Sequence, residues 1–366
     1  MSPISQSTIE QQLATVIDPI TQRDLVSLGA VASIQVNGTR VSLVLKLGYP
    51  IGAHGASLAQ AVNQALDAIE NVESVAVDIQ FAAPFQPMVN SQQAIPGVKN
   101  IIAVASGKGG VGKSTTAVNL ALALMADGAR VGLLDADIYG PSQPQMLGVG
   151  QQRPQVISDQ GKQQMLPIVA HGIQSISMGY LVTEETPMMW RGPMVSGALQ
   201  QLLQQTRWDD VDYLIIDMPP GTGDIQITLA QKVPVTGSVI VTTPQDIALL
   251  DAKKAIEMFR KVNVPILGVV ENMATHICTQ CGHEEHIFGE GGGERIARDY
   301  QTELLGSLPL TLSIRADADG GKPSVAADPE SSVSQSYRQI ARKLAANLWL
   351  HNLDTQALPD IEISDD

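Results

Sequence analysis

Cysteine is nearly absent from this chain of 366 residues, which has only Cys278 and Cys281. Two cysteines separated by two residues cannot provide a framework of structural disulfides. Any role of the pair must therefore come from the chemistry of the thiols themselves or from metal binding.

Basic residues are also scarce, with 23 Lys and Arg against 37 Asp and Glu and a formal net charge of −14 at pH 7. An acidic surface argues against non-specific nucleic-acid binding and against anionic membranes, because both depend on neutralising phosphates. No uninterrupted apolar run reaches the roughly 18 residues of a membrane span. Residues 1–8 have neither the basic segment nor the apolar core of a signal peptide. We therefore expect a soluble, cytoplasmic protein with no nucleic-acid and no membrane partner.

A glycine-rich stretch with the sequence G-K-G-G-V-G-K-S fits the phosphate-binding pattern G-x-x-x-x-G-K-[ST]. The apolar run Ile101–Val104 before it predicts a buried strand, and Thr116–Met125 after it predicts a helix with one apolar face. Backbone N–H groups of such a loop, the helix N-terminus and the lysine ammonium attract phosphate, and Ser114 is placed to bind Mg²⁺. The predicted nucleotide-binding residues are Gly107, Lys108, Gly109, Gly110, Val111, Gly112, Lys113, Ser114 and Thr115.

A second lysine, Lys108, follows the first glycine of this loop. A positive side chain there is costly unless it meets an anion, because the field of the loop is already positive. In this feature the sequence resembles the deviant P-loop ATPases, the group of MinD, ParA and the nitrogenase iron protein. The resemblance implies ATP as the nucleotide and a homodimer in which Lys108 reaches the partner's nucleotide. Lys108 and Lys113 are then both catalytic residues.

Strands and helices alternate from residue 100 onward, which predicts an α/β fold with a mostly parallel sheet and helices on both faces. Two of the predicted strands end in aspartates, Asp135 and Asp137 after the first and Asp217 after the second. Ligands bind at the carboxyl ends of parallel strands, so these carboxylates are expected near the phosphate loop. For each of these aspartates the alternative role is capping of a turn or a helix. For Asp135, capping and a role at the phosphate loop are equally favoured.

The resemblance to the deviant P-loop ATPases gives three of these strand-end residues a role. Asp137 matches the switch carboxylate that positions the attacking water, and Asp217 matches the Walker B-type aspartate that holds Mg²⁺ through its hydration shell. Asn272, which follows a later strand, matches an asparagine that reads the adenine edge, with a neutral cap as the alternative. Slow turnover is expected, because no strong general base accompanies Asp137.

The two cysteines form one C-x-x-C followed by Gly282. Two thiolates at this spacing can share one metal centre. His283 and His286 could complete a zinc site, although the spacing is cramped for four ligands. A [4Fe–4S] cluster needs four thiolates, which two chains together would supply, so the favoured hypothesis is a cluster that bridges a homodimer through Cys278 and Cys281. Structural zinc and inert or redox-active thiols remain the alternatives.

Residues 1–81 read as a small α+β domain. Asn37-Gly38 predicts a hairpin turn, and Ser57–Ile69 predicts a helix. Together with Asp18-Pro19, the hairpin resembles a small iron–sulfur-assembly domain. Many members carry a cysteine just after the hairpin, whereas Gly48–His54 has none here, so we expect a protein-docking role rather than cluster ligation.

The composition of the remaining segments predicts the domain boundaries. The last predicted helix, Ser331–His351, carries three basic residues, but an acidic segment follows it, so ordinary packing is expected rather than membrane binding. The expected segments are the small domain 1–81, a Pro/Gln linker 82–98, the ATPase domain 99–351 and an acidic tail 352–366.

Six motifs occur after the phosphate loop in a fixed order: D-A-D-I-Y-G-P-S, W-R-G-P (Trp190–Pro193), D-M-P-P-G-T-G-D, T-T-P-Q-D, V-E-N-M and C-x-x-C. The set resembles the Mrp/ApbC iron–sulfur carrier ATPases. The resemblance implies a homodimeric ATPase that uses ATP and Mg²⁺, carries an iron–sulfur cluster, and works with scaffold proteins and apo recipient proteins. A MinD/ParA-type positioning switch and a zinc-stabilised assembly ATPase are the rival functions.

Overall fold

The computed structural model of the protein describes residues 4–85, 94–159, 161–181, 192–278 and 280–356. Trp190 and Arg191 of the W-R-G-P motif, residues 86–93 of the linker and residues 357–366 of the acidic tail lie outside these ranges. Packing divides the chain into two units, with divisions after Pro84 and after Leu344, so that the chain from Ala345 onward belongs with the first unit. The boundaries expected at 81, 98 and 351 stay predictions.

The first unit contains a three-stranded sheet in the order β1-β2-β3. Its elements are α1 (Gln6–Leu13), β1 (Val31–Asn37), β2 (Arg40–Leu47), α2 (His54–Leu66) and β3 (Ser74–Phe81). Strands β1 and β2 pair antiparallel across the turn at Asn37-Gly38, where Gly38 has φ +64°, so the predicted hairpin is confirmed. Helix α2 begins and ends earlier than the expected Ser57–Ile69. Its first buried side chain is Leu58, so the apolar period does not mark its first turn.

The segment after this hairpin has a structural role in the first unit. A Cβ on Gly48 would lie 2.2 Å from Cγ of Trp349, so only glycine lets the tryptophan pack there. Asp18 is fully buried and accepts hydrogen bonds from Tyr49 (2.7 Å) and from the Thr21 hydroxyl (2.6 Å). Burial opposes ionisation, but the hydrogen bonds from His54, Thr21 and Tyr49 hold the pKa of Asp18 below its usual value.

The second unit is built on a sheet that, in the described residues, has eight strands in the order β15-β12-β11-β4-β10-β5-β9-β8. All neighbours in it are parallel except β8 and β9. Two short antiparallel hairpins lie outside it, β6–β7 and β13–β14. The strands are β4 (Val98–Ala105), β5 (Val131–Asp135), β6 (Val156–Asp159), β7 (Lys162–Met165), β8 (Ile168–Ala170), β9 (Ile173–Ser177), β10 (Val211–Asp217), β11 (Gly237–Thr242), β12 (Ile266–Glu271), β13 (His276–Ile277), β14 (Glu284–Glu285) and β15 (Leu304–Ser307).

Helices cover this sheet. The central strands β4, β5, β10 and β11 are mostly apolar and almost wholly buried, as expected for a parallel sheet covered on both faces. The predicted α/β architecture is confirmed. None of the described helices is long and apolar enough to cross a membrane. The helices are α3 (Lys113–Ala126), α4 (Gln143–Met146), α5 (Gly192–Gln205), α6 (Asp224–Lys232), α7 (Asp246–Lys261), α8 (Gly292–Asp299), α9 (Leu312–Asp319), α10 (Ser324–Ala327) and α11 (Ser332–Gln356).

The basic residues of α11 form ion pairs within the protein. Asp127, at the end of α3, is buried and binds the guanidinium groups of Arg338 and Arg342, each at 2.5 Å. Lys343 lies 3.3 Å from Glu303 in a more exposed pair. These pairs give the positive charges of α11 partners inside the second unit, which agrees with the packing role expected for this helix.

We expect Asp127→Ala to lower the free energy of unfolding by about 3 kcal/mol, because two guanidinium groups would be left in a buried site without a carboxylate. Lys343→Ala is the control, and its exposed pair is expected to contribute less than about 1 kcal/mol. Urea unfolding followed by circular dichroism measures both. Equal effects of the two substitutions would contradict this ranking.

Candidate functional site

The glycine-rich loop connects the end of β4 to the first residue of α3. Gly110 and Gly112 both have φ +82°, a left-handed conformation in which a side chain would be strained. Gly112 is the N-cap of α3, and no side chain of the described residues caps this helix end. The first N–H groups of a helix of 14 residues are therefore available to an anion. This arrangement fits the phosphates of a nucleotide.

The loop is packed closely against helix α7. A Cβ on Gly107 would lie 2.0 Å from the backbone oxygen of Asp251, so this position requires glycine. On the next residue, half-buried Lys108, the backbone oxygen accepts a hydrogen bond from the Ser106 hydroxyl at 2.8 Å. Gly109, in contrast, has no atom within 4 Å of the position of an added Cβ.

Asn272 lies directly against the phosphate loop. It is 7 % exposed and its Nδ2 donates to the backbone oxygen of Val111 at 2.9 Å. A Cβ on Gly112 would lie 2.1 Å from the same Nδ2. The structure thus brings Asn272 to the nucleotide site through a contact with the loop backbone, while its expected contact with adenine stays a prediction.

Lys113, Ser114 and Asp217 come together at the start of α3 and the end of β10. The Lys113 ammonium is nearly buried and donates to Asp217 Oδ1 and, at 3.1 Å, to Ser114 Oγ. Asp217 is fully buried. A hydroxyl and a carboxylate next to a phosphate loop are oxygen donors of the kind that Mg²⁺ prefers, so the donor set fits this metal.

Sequence reasoning missed Gln143, which joins these groups. Its Nε2 donates to Asp217 Oδ2 at 2.8 Å and to the backbone oxygen of Ser114 at 3.0 Å. Its backbone N–H donates to Asp135 Oδ2 at 3.2 Å. The only signal in the sequence was the position of Gln143 in the same D-A-D-I-Y-G-P-S-Q segment as Asp137.

Asp135 and Asp137 lie at the end of β5, beside the end of β10. Asp135 is buried and accepts hydrogen bonds from the Asp137 N–H (3.1 Å) and the Ser177 hydroxyl (3.0 Å), so it anchors the loop that carries Asp137. Burial and the nearby Asp217 raise the pKa of Asp135 to about 7. Burial also raises the pKa of Asp137, against the opposing effect of the Lys113 charge. The expected strand-end carboxylates therefore converge on one edge of the sheet.

The two cysteines lie on the β13–β14 hairpin. Cys281 is exposed, and Cys278 is partly exposed. The hairpin is closed by the bonds Cys278 N–H to His283 O and Gly282 N–H to Cys278 O, both 2.9 Å. Backbone N–H groups of Cys281 and Gln280, together with the Cys281 thiol, lower the pKa of Cys278. Lowering of a thiol pKa by donated N–H groups favours the thiolate, which is the form that binds metals.

The nearby histidines make local contacts to backbone oxygens. His276 Nδ1 lies 3.2 Å from Leu310 O, and His286 Nδ1 lies 3.2 Å from Ala274 O. Within the described part of the chain, no group of three or more His, Cys, Asp and Glu residues is placed to hold a metal ion. A zinc site completed by His283 and His286 in one chain therefore has no support in the described geometry.

A phosphate loop between a central parallel strand and a helix, with a carboxylate at the end of the neighbouring strand, defines the P-loop NTPases. The model of the NUBPL iron-transfer P-loop NTPase family matches residues 97–345, and the model of the iron–sulfur cluster assembly protein family matches residues 6–79. The chain therefore belongs to the NUBPL iron-transfer P-loop NTPase family, with an iron–sulfur cluster assembly domain before the NTPase, and it is an ATPase. The resemblance drawn from the sequence is confirmed.

Several known proteins are similar to this chain. The iron–sulfur cluster carrier protein of Haemophilus influenzae is 49% identical over 344 residues, which cover 94% of this chain and 92% of that protein. The Escherichia coli K12 carrier protein is 63% identical over 261 residues, 71% of this chain and 70% of the relative. A nucleotide-binding protein from Archaeoglobus fulgidus, solved in complex with ADP, has a TM-score of 0.56 and 34% identity, covering 64% of this chain and 90% of its own.

We expect Gly107→Ala to destabilise the protein without nucleotide by about 1–3 kcal/mol, because the new methyl group must displace the backbone of α7. Gly109→Ala is the matched control in the same loop and should leave stability unchanged, since its Cβ meets no atom. Thermal unfolding of both variants tests this. A Gly107→Ala protein as stable as Gly109→Ala would show that the loop does not press on the helix.

We also expect metal-free Cys278 to react with iodoacetamide at lower pH than an ordinary thiol. Its pKa is lowered in the fold, so the thiolate persists as the pH falls. Mass spectrometry of the alkylated peptide over a pH series gives the midpoint. The same cysteine in urea-unfolded protein is the control, because unfolding removes the donated N–H groups; identical midpoints in both states would refute the expectation.

Proposed function

We propose that this protein is a homodimeric iron–sulfur carrier ATPase that holds its cluster between Cys278 and Cys281 of two subunits and passes it to apo recipient proteins. The observation that carries this proposal is the hairpin geometry. It presents two thiols, one of them favoured as thiolate, and the described residues add no third donor. A second copy of the chain supplies the two missing thiolates of a [4Fe–4S] cluster. The names of the relatives, carrier and transfer proteins, support the same cargo.

ATP is bound, in this proposal, by the loop Gly107–Thr115 with Mg²⁺ held by Ser114 and Asp217. When bound, Mg²⁺ offsets negative charge on the phosphates. Lys113 contributes a charge that its contacts with Asp217 and Ser114 already hold in place, so little side-chain freedom is lost on binding. Lys108 reaches the nucleotide of the partner subunit.

Asp137 orients the attacking water in the proposed reaction, on a loop that Asp135 fixes through the Asp137 N–H. Asn272 holds the adenine side of the nucleotide.

The loop after Asp217 responds to the loss of the last phosphate, because the Gly221 N–H donates to the backbone oxygen of Ser106 at the start of the phosphate loop (3.0 Å). Hydrolysis then shifts the subunits and changes the exposure of the cysteines. Scaffold proteins supply the cluster. We further propose that the protein works in the cytoplasm, as expected from the sequence.

Anaerobic reconstitution with iron and sulfide tests the proposal. We expect about four irons per dimer, and near-complete loss of iron in Cys278→Ala and in Cys281→Ala. His286→Ala is the matched control on the same hairpin and should keep its iron, because His286 contacts a backbone oxygen.

Chromatography under anaerobic conditions completes the test, with iron expected only in the dimer fraction. A monomer that retains the intact cluster would overturn the bridging arrangement. Stoichiometric zinc in the protein as isolated, retained after reconstitution, would instead favour a zinc-stabilised ATPase.

A further inference from the structure

A single buried amide contacts both sides of the proposed magnesium site. We propose that Gln143 is a positioning residue that fixes Asp217 relative to Ser114 and thereby sets the affinity of the site for Mg²⁺. This inference rests on the proposed function, because it takes Ser114 and Asp217 as the residues that hold the metal. It adds a residue that neither the sequence motifs nor the resemblance assigned.

The orientation of the Gln143 amide follows from its partners. Gln143 is 1 % exposed, and one nitrogen, Nε2, faces both Asp217 Oδ2 (2.8 Å) and the Ser114 backbone oxygen (3.0 Å). Both of these atoms can only accept hydrogen bonds, so the NH₂ group and not the amide oxygen must face them. One NH₂ group therefore ties the end of β10 to the first turn of α3.

Gln143 is itself held in place from the opposite side. Its backbone N–H donates to Asp135 Oδ2 (3.2 Å), the oxygen that also accepts from the Ser177 hydroxyl (3.0 Å). Asp135 ends β5, and β5 pairs directly with β10 so that Asp135 lies opposite Asp217. The sheet thus fixes both the amide and the carboxylate that it contacts, as expected for a residue that supports a metal ligand.

The chemistry of the donor matters as much as its position. Asp217 Oδ1 is bound by the Lys113 ammonium and Oδ2 by the neutral amide of Gln143. A neutral donor fixes the carboxylate without adding positive charge to that of Lys113, whereas a second ammonium would give the cluster a net positive charge that repels a cation. Gln143 therefore keeps Asp217 in one orientation without adding positive charge to the site that would bind Mg²⁺.

Two further polar atoms beside this contact point to a ligand. Gln143 Oε1 and Ser142 Oγ are buried and have no hydrogen-bond partner among the described residues. Buried polar atoms are almost always paired, so these two are suited to form hydrogen bonds with bound water, the amide oxygen as an acceptor and the hydroxyl as a donor or an acceptor. A magnesium ion held by Ser114 and Asp217 would carry such water in its hydration shell.

The test compares Gln143→Met with Gln145→Met. Methionine keeps the length and apolar stem of glutamine but has no N–H donor, and Gln145 is exposed on the same short helix, so it is the matched control. A fluorescent ADP analogue is titrated without magnesium and then with increasing Mg²⁺. For Gln143→Met we expect nucleotide affinity without Mg²⁺ to stay within about twofold of wild type. We expect the Mg²⁺ midpoint, the Mg²⁺ concentration that gives half of the full change in nucleotide binding, to rise about tenfold or more. Gln145→Met should match wild type in both.

An unchanged Mg²⁺ midpoint in Gln143→Met overturns the inference. An equal loss of nucleotide affinity with and without Mg²⁺ also overturns it, because a merely structural tie would act in that way. Thermal unfolding verifies that the variants are folded, and Gln143→Leu replaces the methionine variant if that one is not.

Asp217→Asn separates this inference from the proposed function. If Asp217→Asn raises the Mg²⁺ midpoint and Gln143→Met does not, only the role of Gln143 fails. If neither variant changes the midpoint, the assignment of the metal to Asp217 fails as well.

Discussion

A lysine ammonium that is 6 % exposed at the N-terminus of a helix needs an anionic partner, and the nucleotide site is arranged around this need. Lys113 meets Asp217, the last residue of β10. That contact requires β10 to pair with β4 in a register that sets Asp217 opposite Val104, just before the phosphate loop. The parallel sheet then brings Asp135 alongside through β5. The strand order at the centre of the second unit thus places a carboxylate where the ammonium of Lys113 needs one.

The cysteine hairpin differs from the nucleotide site in its exposure and in what stabilises its charge. Its side chains are exposed or partly exposed, and local backbone N–H groups rather than a buried partner favour the thiolate of Cys278. Lys113, Asp217 and Gln143 are buried and joined by hydrogen bonds within one chain, whereas the two thiols are exposed or partly exposed. This difference agrees with the proposed function, in which the nucleotide site is retained and the cluster at the thiols is passed on.

Much of the fold could be predicted because its signals are local. The apolar run before the loop and the periodic helix after it correspond to β4 and α3, and Asn37-Gly38 forms the expected turn. Helix α2 was predicted with shifted ends, since its first buried side chain, Leu58, comes only after the first turn. Gln143 was missed because nothing distinguishes a buried glutamine from an exposed one, such as Gln145, in the sequence alone.

The sequence by itself determined the phosphate loop, the alternation of strands and helices, the acidic strand ends and the number of thiols. These depend on residue types at fixed short spacings, which the chain carries wherever it folds. Only the tertiary structure decided that Asn272 contacts the loop backbone and that Gln143 bridges Ser114 and Asp217. These contacts join residues far apart in the chain, and their partners are chosen by the register of the sheet and by burial, which a linear pattern does not contain.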